Sequence, residues 1–191
     1  MDNVLAVVDD NPNVPILIKS TISVEGWDML EHMFPHTSLT FSPEFLRAAS
    51  ALEDFKNNNT ILLGGGNTSF WADIFITAMG KINISVAKPK ELILTKYARN
   101  SFLALKVAYF NQINDLCESL GVDYEQERLY TTIDDRIGES HTTITDERGF
   151  GGHCFPKDTK AFTVTANQNK ANLTILEQAI NYNNSVRKDT T

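Results

Sequence analysis

Cysteine is nearly absent from this chain: Cys117 and Cys154 are its two thiols. Two cysteines cannot build a disulfide framework, so a cytoplasmic, reducing compartment is the simplest expectation. Basic charge is also short. Against 24 Asp and Glu stand 17 Lys and Arg, a formal net charge of −7, which repels a phosphate backbone and argues against nucleic acid as a partner. No stretch approaches ~18 uninterrupted apolar residues, and the opening MDNVLAVVDDNP has no basic segment ahead of an apolar one. The expectation is a protein with neither a membrane span nor a signal peptide. His32, His36, His141 and His153 are scattered without paired ligand spacing, so no metal site is expected. Neither GxGxxG nor a GxxxxGK phosphate loop occurs. Gly64-Gly65-Gly66-Asn67-Thr68-Ser69 follows an apolar run but lacks the third glycine, and it reads as a turn.

Of the 191 residues, 42% are hydrophobic and 21% charged, an ordinary globular composition with room for one domain or two small ones. Residues 15–23, 37–41 and 60–64 are short apolar, β-branched runs that read as strands. Between or after them lie helical segments, notably 68–80, where Phe70, Ile74 and Met79 fall near helical spacing. Strands alternating with helices predict an α/β portion, a partial doubly wound, Rossmann-like parallel sheet over residues 1–87.

From residue 88 to 191 the pattern predicts an all-helical domain. KELILTKYARNSFLALKVAYFNQINDLCESL runs without Gly or Pro up to Gly121, a single helix of about 45 Å at ~1.5 Å per residue. Phe102, Leu105, Tyr109, Ile113, Leu116 and Leu120 recur at intervals of three and four, and Leu103, Val107 and Phe110 form a neighbouring stripe. Two apolar stripes exceed what a small domain covers, which predicts a homodimer with a second copy packed on this helix. Residues 123–133, 157–169 and 173–187 read as further helices, and 134–153 as a polar, glycine-containing loop.

The chemistry concentrates in Gly149-Phe150-Gly151-Gly152-His153-Cys154-Phe155-Pro156-Lys157-Asp158. Glycines let the backbone approach a ligand, Pro156 suits a first helical turn, and a thiol at a helix N-terminus near Lys157 is placed for nucleophilic work. On spacing alone, a glycine-rich turn with an inert buried cysteine fits equally well. Lys96 and Asn100 lie one helical turn apart in TKYARN, where an ammonium and an amide could stabilise an oxyanion or simply face solvent. Glu44, in SPEFLR just after a strand, could position a water or merely start a helix. Thr21 ends the preceding strand segment, at the carboxyl edge where ligands of open α/β sheets bind.

SPEFLR, KYARNSFLALKVAYFNQINDLCESLG, DDRIG and above all GFGGHCFPKD, in that order, resemble the UDP-glucose/GDP-mannose dehydrogenase family, and the resemblance extends over nearly the whole chain. The cysteine motif is similar to the UDP-glucose branch. The resemblance implies NAD-dependent oxidation of a nucleotide sugar, UDP-glucose to UDP-glucuronate, through a thiohemiacetal and a thioester on Cys154. It implies oxyanion stabilisation by Lys96 and Asn100, proton transfer by Asp158 with a bound water, and a water held by Glu44 and Thr21. Thr21 and Lys157 match cofactor-side positions. Phe45, Leu46, Arg47, Thr143, Thr145, Glu147 and Gly151 match substrate-contacting segments, and Arg136 resembles an arginine that reaches a neighbouring subunit's substrate.

The chain also departs from the family pattern. Ala48 and Ile93 stand where glutamates are expected, and Thr143-Ile144-Thr145 lacks the usual aromatic and asparagines. With no dinucleotide turn and no carboxyl-terminal nucleotide-covering domain, the expectation is a shortened form that works with a complementing chain. The alternatives are a non-catalytic dimeric scaffold or nucleotide-sugar-binding remnant, and a GDP-mannose or UDP-N-acetylhexosamine dehydrogenase.

Overall fold

Short β-branched runs become short strands here, joined through helices, of which those at Val24–Met33 and Thr68–Met79 bury residues in the sheet unit. The computed structural model describes residues 2–46 and 50–188. Its first compact unit is Met1–Lys96, with the order α1 (Asp2–Asp10), β1 (Ile16–Ile18), α2 (Val24–Met33), β2 (Leu39–Phe41), α3 (Ala51–Asn57), β3 (Thr60–Gly65), α4 (Thr68–Met79) and β4 (Asn83–Val86). The three strands read from sequence are present. β4 is the strand that reading missed, because Asn83 and Ser85 dilute its pattern.

The sheet has the order β1-β2-β3-β4. β1 and β2 pair in parallel, as do β3 and β4, each through a crossover helix. β2 and β3 run antiparallel, Thr40 opposite Gly65 and Phe41 opposite Gly64, so the sheet is mixed where an all-parallel one was expected. α3 has 7 residues, about 10 Å of helix, and the connection leaves and re-enters at one edge, which suits antiparallel neighbours. Ile61, Leu63 and Phe75 form a core cluster with Leu17, Trp71, Ala72, Met79, Ile82 and Ile84. The inward stripe of α4 is therefore Trp71, Phe75 and Met79, while Phe70 and Ile74 are exposed.

The long helix α5 (Pro89–Leu120) has 32 residues. It begins where Glu91 accepts a hydrogen bond from the Lys88 backbone at 2.9 Å and ends at Gly121, whose φ of 66° suits a helix terminus. The boundary between the compact units falls inside it, and the second unit is Tyr97–Thr191. That unit adds α6 (Tyr124–Thr132), α7 (Cys154–Gln168) and α8 (Thr174–Val186). Asp123 caps α6 by accepting from the Glu125 and Gln126 amides. α5 buries Ala104, Ala108, Phe110 and Cys117. Ala104 and Ala108 pack with Phe150, Phe155, Ala179 and Ile180, whereas Phe110 and Cys117 pack with Tyr124 and Ile144. On the other stripe Phe102, Tyr109, Leu116 and Leu120 are 53–67% exposed. No described helix is long and apolar enough to cross a membrane.

Candidate active site

Each unit carries its own cluster of the residues singled out from sequence. In the first, the carboxyl ends of the parallel strands β1 and β2 lie side by side, tied by the Ser42 amide donating to Ile18 O at 2.9 Å. Just beyond them Lys19 Nζ meets Glu44 Oε1 at 2.5 Å. The Lys19 ammonium also sits over the Phe75 ring, 5.3 Å from its centroid. Lys96, 7% exposed, donates from Nζ to the Glu44 carbonyl oxygen at 3.0 Å. Glu44 is thus held twice, by one lysine at its side chain and by another at its backbone. Thr21, Phe45 and Leu46 are partly buried in the adjoining segment. Arg47 and Ala48 lie outside the described residues.

In the second unit Cys154 is exposed and opens α7, three residues earlier than the start read from sequence. One turn on, Asp158 is fully buried. Its Oδ2 accepts from Asn100 Nδ2 at 2.6 Å, while Oδ1 accepts no hydrogen bond among the described residues and lies 3.7 Å from Lys157 Nζ.

The loop leading to Cys154 is fixed by residues that the sequence reading passed over. Asn111 Oδ1 accepts from the Gly149 amide at 3.1 Å and from Arg148 Nε at 2.8 Å. Asn183 Oδ1 accepts from the Phe150 amide at 2.6 Å, and its Nδ2 donates back to Phe150 O at 3.1 Å. Arg187 donates to Arg148 O at 3.0 Å and Glu147 Oε2 at 3.1 Å. Arg148 also pairs with Asp115, which accepts from the Tyr182 hydroxyl at 2.6 Å. Asn111 and Asn183 are buried amides on helices; their polarity on otherwise apolar faces was the available signal.

The other predicted contacts are spread over one loop. Glu147 is engaged by Arg187, Thr143 and Thr145 are exposed, and Ile144 between them is packed inward. Arg136, with 88% of its side chain exposed, pairs with Asp134 at 2.5 Å. That turn is anchored by Lys106, which donates to Ile137 O and Gly138 O at 2.7 and 2.8 Å and whose pKa burial lowers.

The glycine run after β3 does not form a phosphate cradle. A Cβ at Gly64 would lie 2.5 Å from Ala87 O, one at Gly65 2.4 Å from Leu39 O, and one at Gly66 2.8 Å from Ser38 Oγ. The chain's own backbone and Ser38 occupy that space, and Gly65 further needs its φ of 110°. These glycines do not fit a dinucleotide pyrophosphate. Among the described residues no group of three or more His, Cys, Asp and Glu could hold a metal ion.

A mixed α/β unit is followed by a helical unit that carries an exposed thiol at a helix start. Residues 91–185 match the central domain of the UDP-glucose/GDP-mannose dehydrogenase family. The UDP-glucose 6-dehydrogenase of Rhizobium meliloti is 30% identical over 187 residues, spanning 91% of this chain and 42% of that protein. That of Rickettsia conorii is 34% identical over 181 residues, spanning 91% and 41%. The solved UDP-glucose dehydrogenase of Pyrobaculum islandicum is similar with a TM-score of 0.76 at 33% identity, over 88% of this chain and 40% of that one. The chain belongs to the UDP-glucose/GDP-mannose dehydrogenase family. It spans about two fifths of the length of the curated relatives it matches.

Proposed function

We propose that this chain supplies the thiol half of a nucleotide-sugar dehydrogenase, acting on UDP-glucose to give UDP-glucuronate. The observation that carries the reading is Cys154, exposed at the start of α7, one turn before a buried Asp158 that accepts from Asn100. In the step these residues perform, Cys154 Sγ bonds to the carbon of a C6 aldehyde and the carbonyl π pair moves to oxygen. The thiol proton passes through a water to Asp158 Oδ1, the oxygen that Asn100 does not use. The Asn100 amide and the Lys96 ammonium are the donors assigned to the new oxyanion. NAD, when bound, would accept one hydride from the C6 alcohol and a second from the thiohemiacetal, which leaves an acyl-thiol; Glu44 and Thr21 are assigned to the water that hydrolyses it, and Lys19 keeps the Glu44 carboxylate paired.

Phe45, Leu46, Arg47, Thr143, Thr145, Glu147 and Gly151 are assigned to the sugar nucleotide, and Arg136 to a partner subunit's substrate. NAD is the family's expected acceptor. Gly64, Gly65 and Gly66 do not cradle it, so its binding is assigned to a complementing chain, with Thr21 and Lys157 on the cofactor side. The 53–67% exposure of Phe102, Tyr109, Leu116 and Leu120 supports a homodimer through α5, and two free thiols support a cytoplasmic setting. The filled glycine run favours a second reading, a dimeric nucleotide-sugar binder that performs no oxidation.

The deciding experiment mixes the chain with a chain carrying a GxGxxG half, then adds UDP-glucose and NAD and follows absorbance at the reduced-nicotinamide band. Turnover that Cys154→Ala abolishes supports the enzyme. Calorimetric binding of UDP-glucose without turnover selects the second reading, and no binding of either ligand overturns both.

A further inference from the structure

The backbone ahead of Cys154 is held at Gly149 and Phe150 by two buried side-chain amides, and that arrangement assigns those amides a task. We infer that Asn111 and Asn183 are positioning residues that fix the direction in which Cys154 Sγ is presented. The inference rests on reading Cys154 as the nucleophile. Asn111 reaches the loop from α5 and Asn183 from α8; they are 1% and 5% exposed. Asn183 grips Phe150 at both its amide and its carbonyl, as a neighbouring strand would. Asn111 takes the preceding amide, Gly149, and the Arg148 guanidinium on the same oxygen.

The fixing continues towards the thiol. Gly151 lies directly under the Arg187 guanidinium, so close that a Cβ there would sit 2.3 Å from Nη2. Gly149 and Gly152 take φ of 57° and 73°, turning the chain on either side of that contact. On the far side of Cys154, Phe155 packs into the same cluster as Phe150. The thiol therefore sits on a short bridge between two anchored phenylalanines, and the amides set the anchor on one side. A buried side chain that satisfied only its own polarity would not need to address consecutive amides of one loop.

The test uses the full chain with Cys154 carrying a trifluoromethyl thioether, read by fluorine NMR, with Cys117→Ser as the background. One narrow resonance is expected from the unaltered loop. Asn183→Ala and Asn111→Leu should each give several lines or a broadened one. Asn111→Asp, which keeps the acceptor but sets a carboxylate oxygen against Val107 O in place of the donor, should give a narrower line than Asn111→Leu. Narrow, unchanged lines in both Asn183→Ala and Asn111→Leu would overturn the inference even if melting temperatures fall. If those variants do not fold, amide exchange in the unaltered chain decides. Gly149 and Phe150 should exchange at least about tenfold more slowly than the exposed Gly152, and equal rates overturn the inference. Neither readout needs sugar or NAD. A fixed loop whose thiol fails to add to an aldehyde would sink the proposed function and leave the positioning role standing.

Discussion

Gly151→Ala offers a sharp test because its cost is assigned to one partner. The added Cβ would fall 2.3, 2.4 and 2.9 Å from Arg187 Nη2, Cζ and Nε, so the guanidinium must leave. With it go the bonds to Arg148 O at 3.0 Å and Glu147 Oε2 at 3.1 Å. The bond from a charged donor to a main-chain oxygen is worth about 1.5 kcal/mol, and the partly exposed pair to Glu147 adds about 0.5 kcal/mol. Gly151→Ala and Arg187→Ala should therefore each cost about 2 kcal/mol, a melting shift of roughly 4–8 °C for a chain of this size. The double variant should also cost about 2 kcal/mol, since the second change removes nothing that the first has left, where independent sites would give about 4. Urea unfolding followed by circular dichroism on the four proteins measures the cycle. Additivity within ~0.5 kcal/mol would refute the claim that Arg187 fills the space above Gly151.

Asp158→Asn keeps an acceptor for Asn100 and removes a buried charge, so stability should change by less than about 1 kcal/mol. Thiol addition to an aldehyde, followed by stopped flow, should slow by at least about 100-fold. Asp115 gives a pH prediction. Burial raises its carboxyl, but hydrogen bonds from Tyr182 and Arg148, with the Arg148 charge, outweigh that and hold it below its ordinary value. A depressed carboxylate stabilises the fold above its unfolded pKa and loses that contribution as pH falls through the folded one. Melting temperature should therefore drop below about pH 4, and Asp115→Asn should flatten the drop. Leu116→Glu, on the exposed stripe of α5, should weaken self-association by roughly 100-fold in sedimentation equilibrium; unchanged association would remove α5 from the interface.

Much of the architecture was legible because periodicity states it directly. α5 could be read to within a residue from an unbroken run ending in Gly121, and Cys154 at a helix start from three glycines followed by Pro156. The antiparallel β2–β3 pair was not legible: parallel and antiparallel neighbours differ in how a connection returns, and α3 is too short and polar to announce it. The spacing of Phe70, Ile74 and Met79 announced α4 itself, but spacing alone cannot say which stripe the sheet covers, because α4 is apolar on several sides. The polarity of Asn111 and Asn183 on apolar faces marks them, but their targets are backbone atoms distant in sequence, which no local pattern names. Lys19 escaped for a similar reason, since its partner Glu44 lies in the segment that follows β2.

The occupied space around Gly64, Gly65 and Gly66 changes what a damaged gene would look like. In a nucleotide-binding turn, glycine replacement weakens a ligand and leaves the protein abundant. Here replacement of Gly64 or Gly65 drives a methyl group into the carbonyl of Ala87 or Leu39, so the loss falls on assembly of the sheet. Carriers of such changes would accumulate little of the chain at all, and adding more ligand would not rescue them.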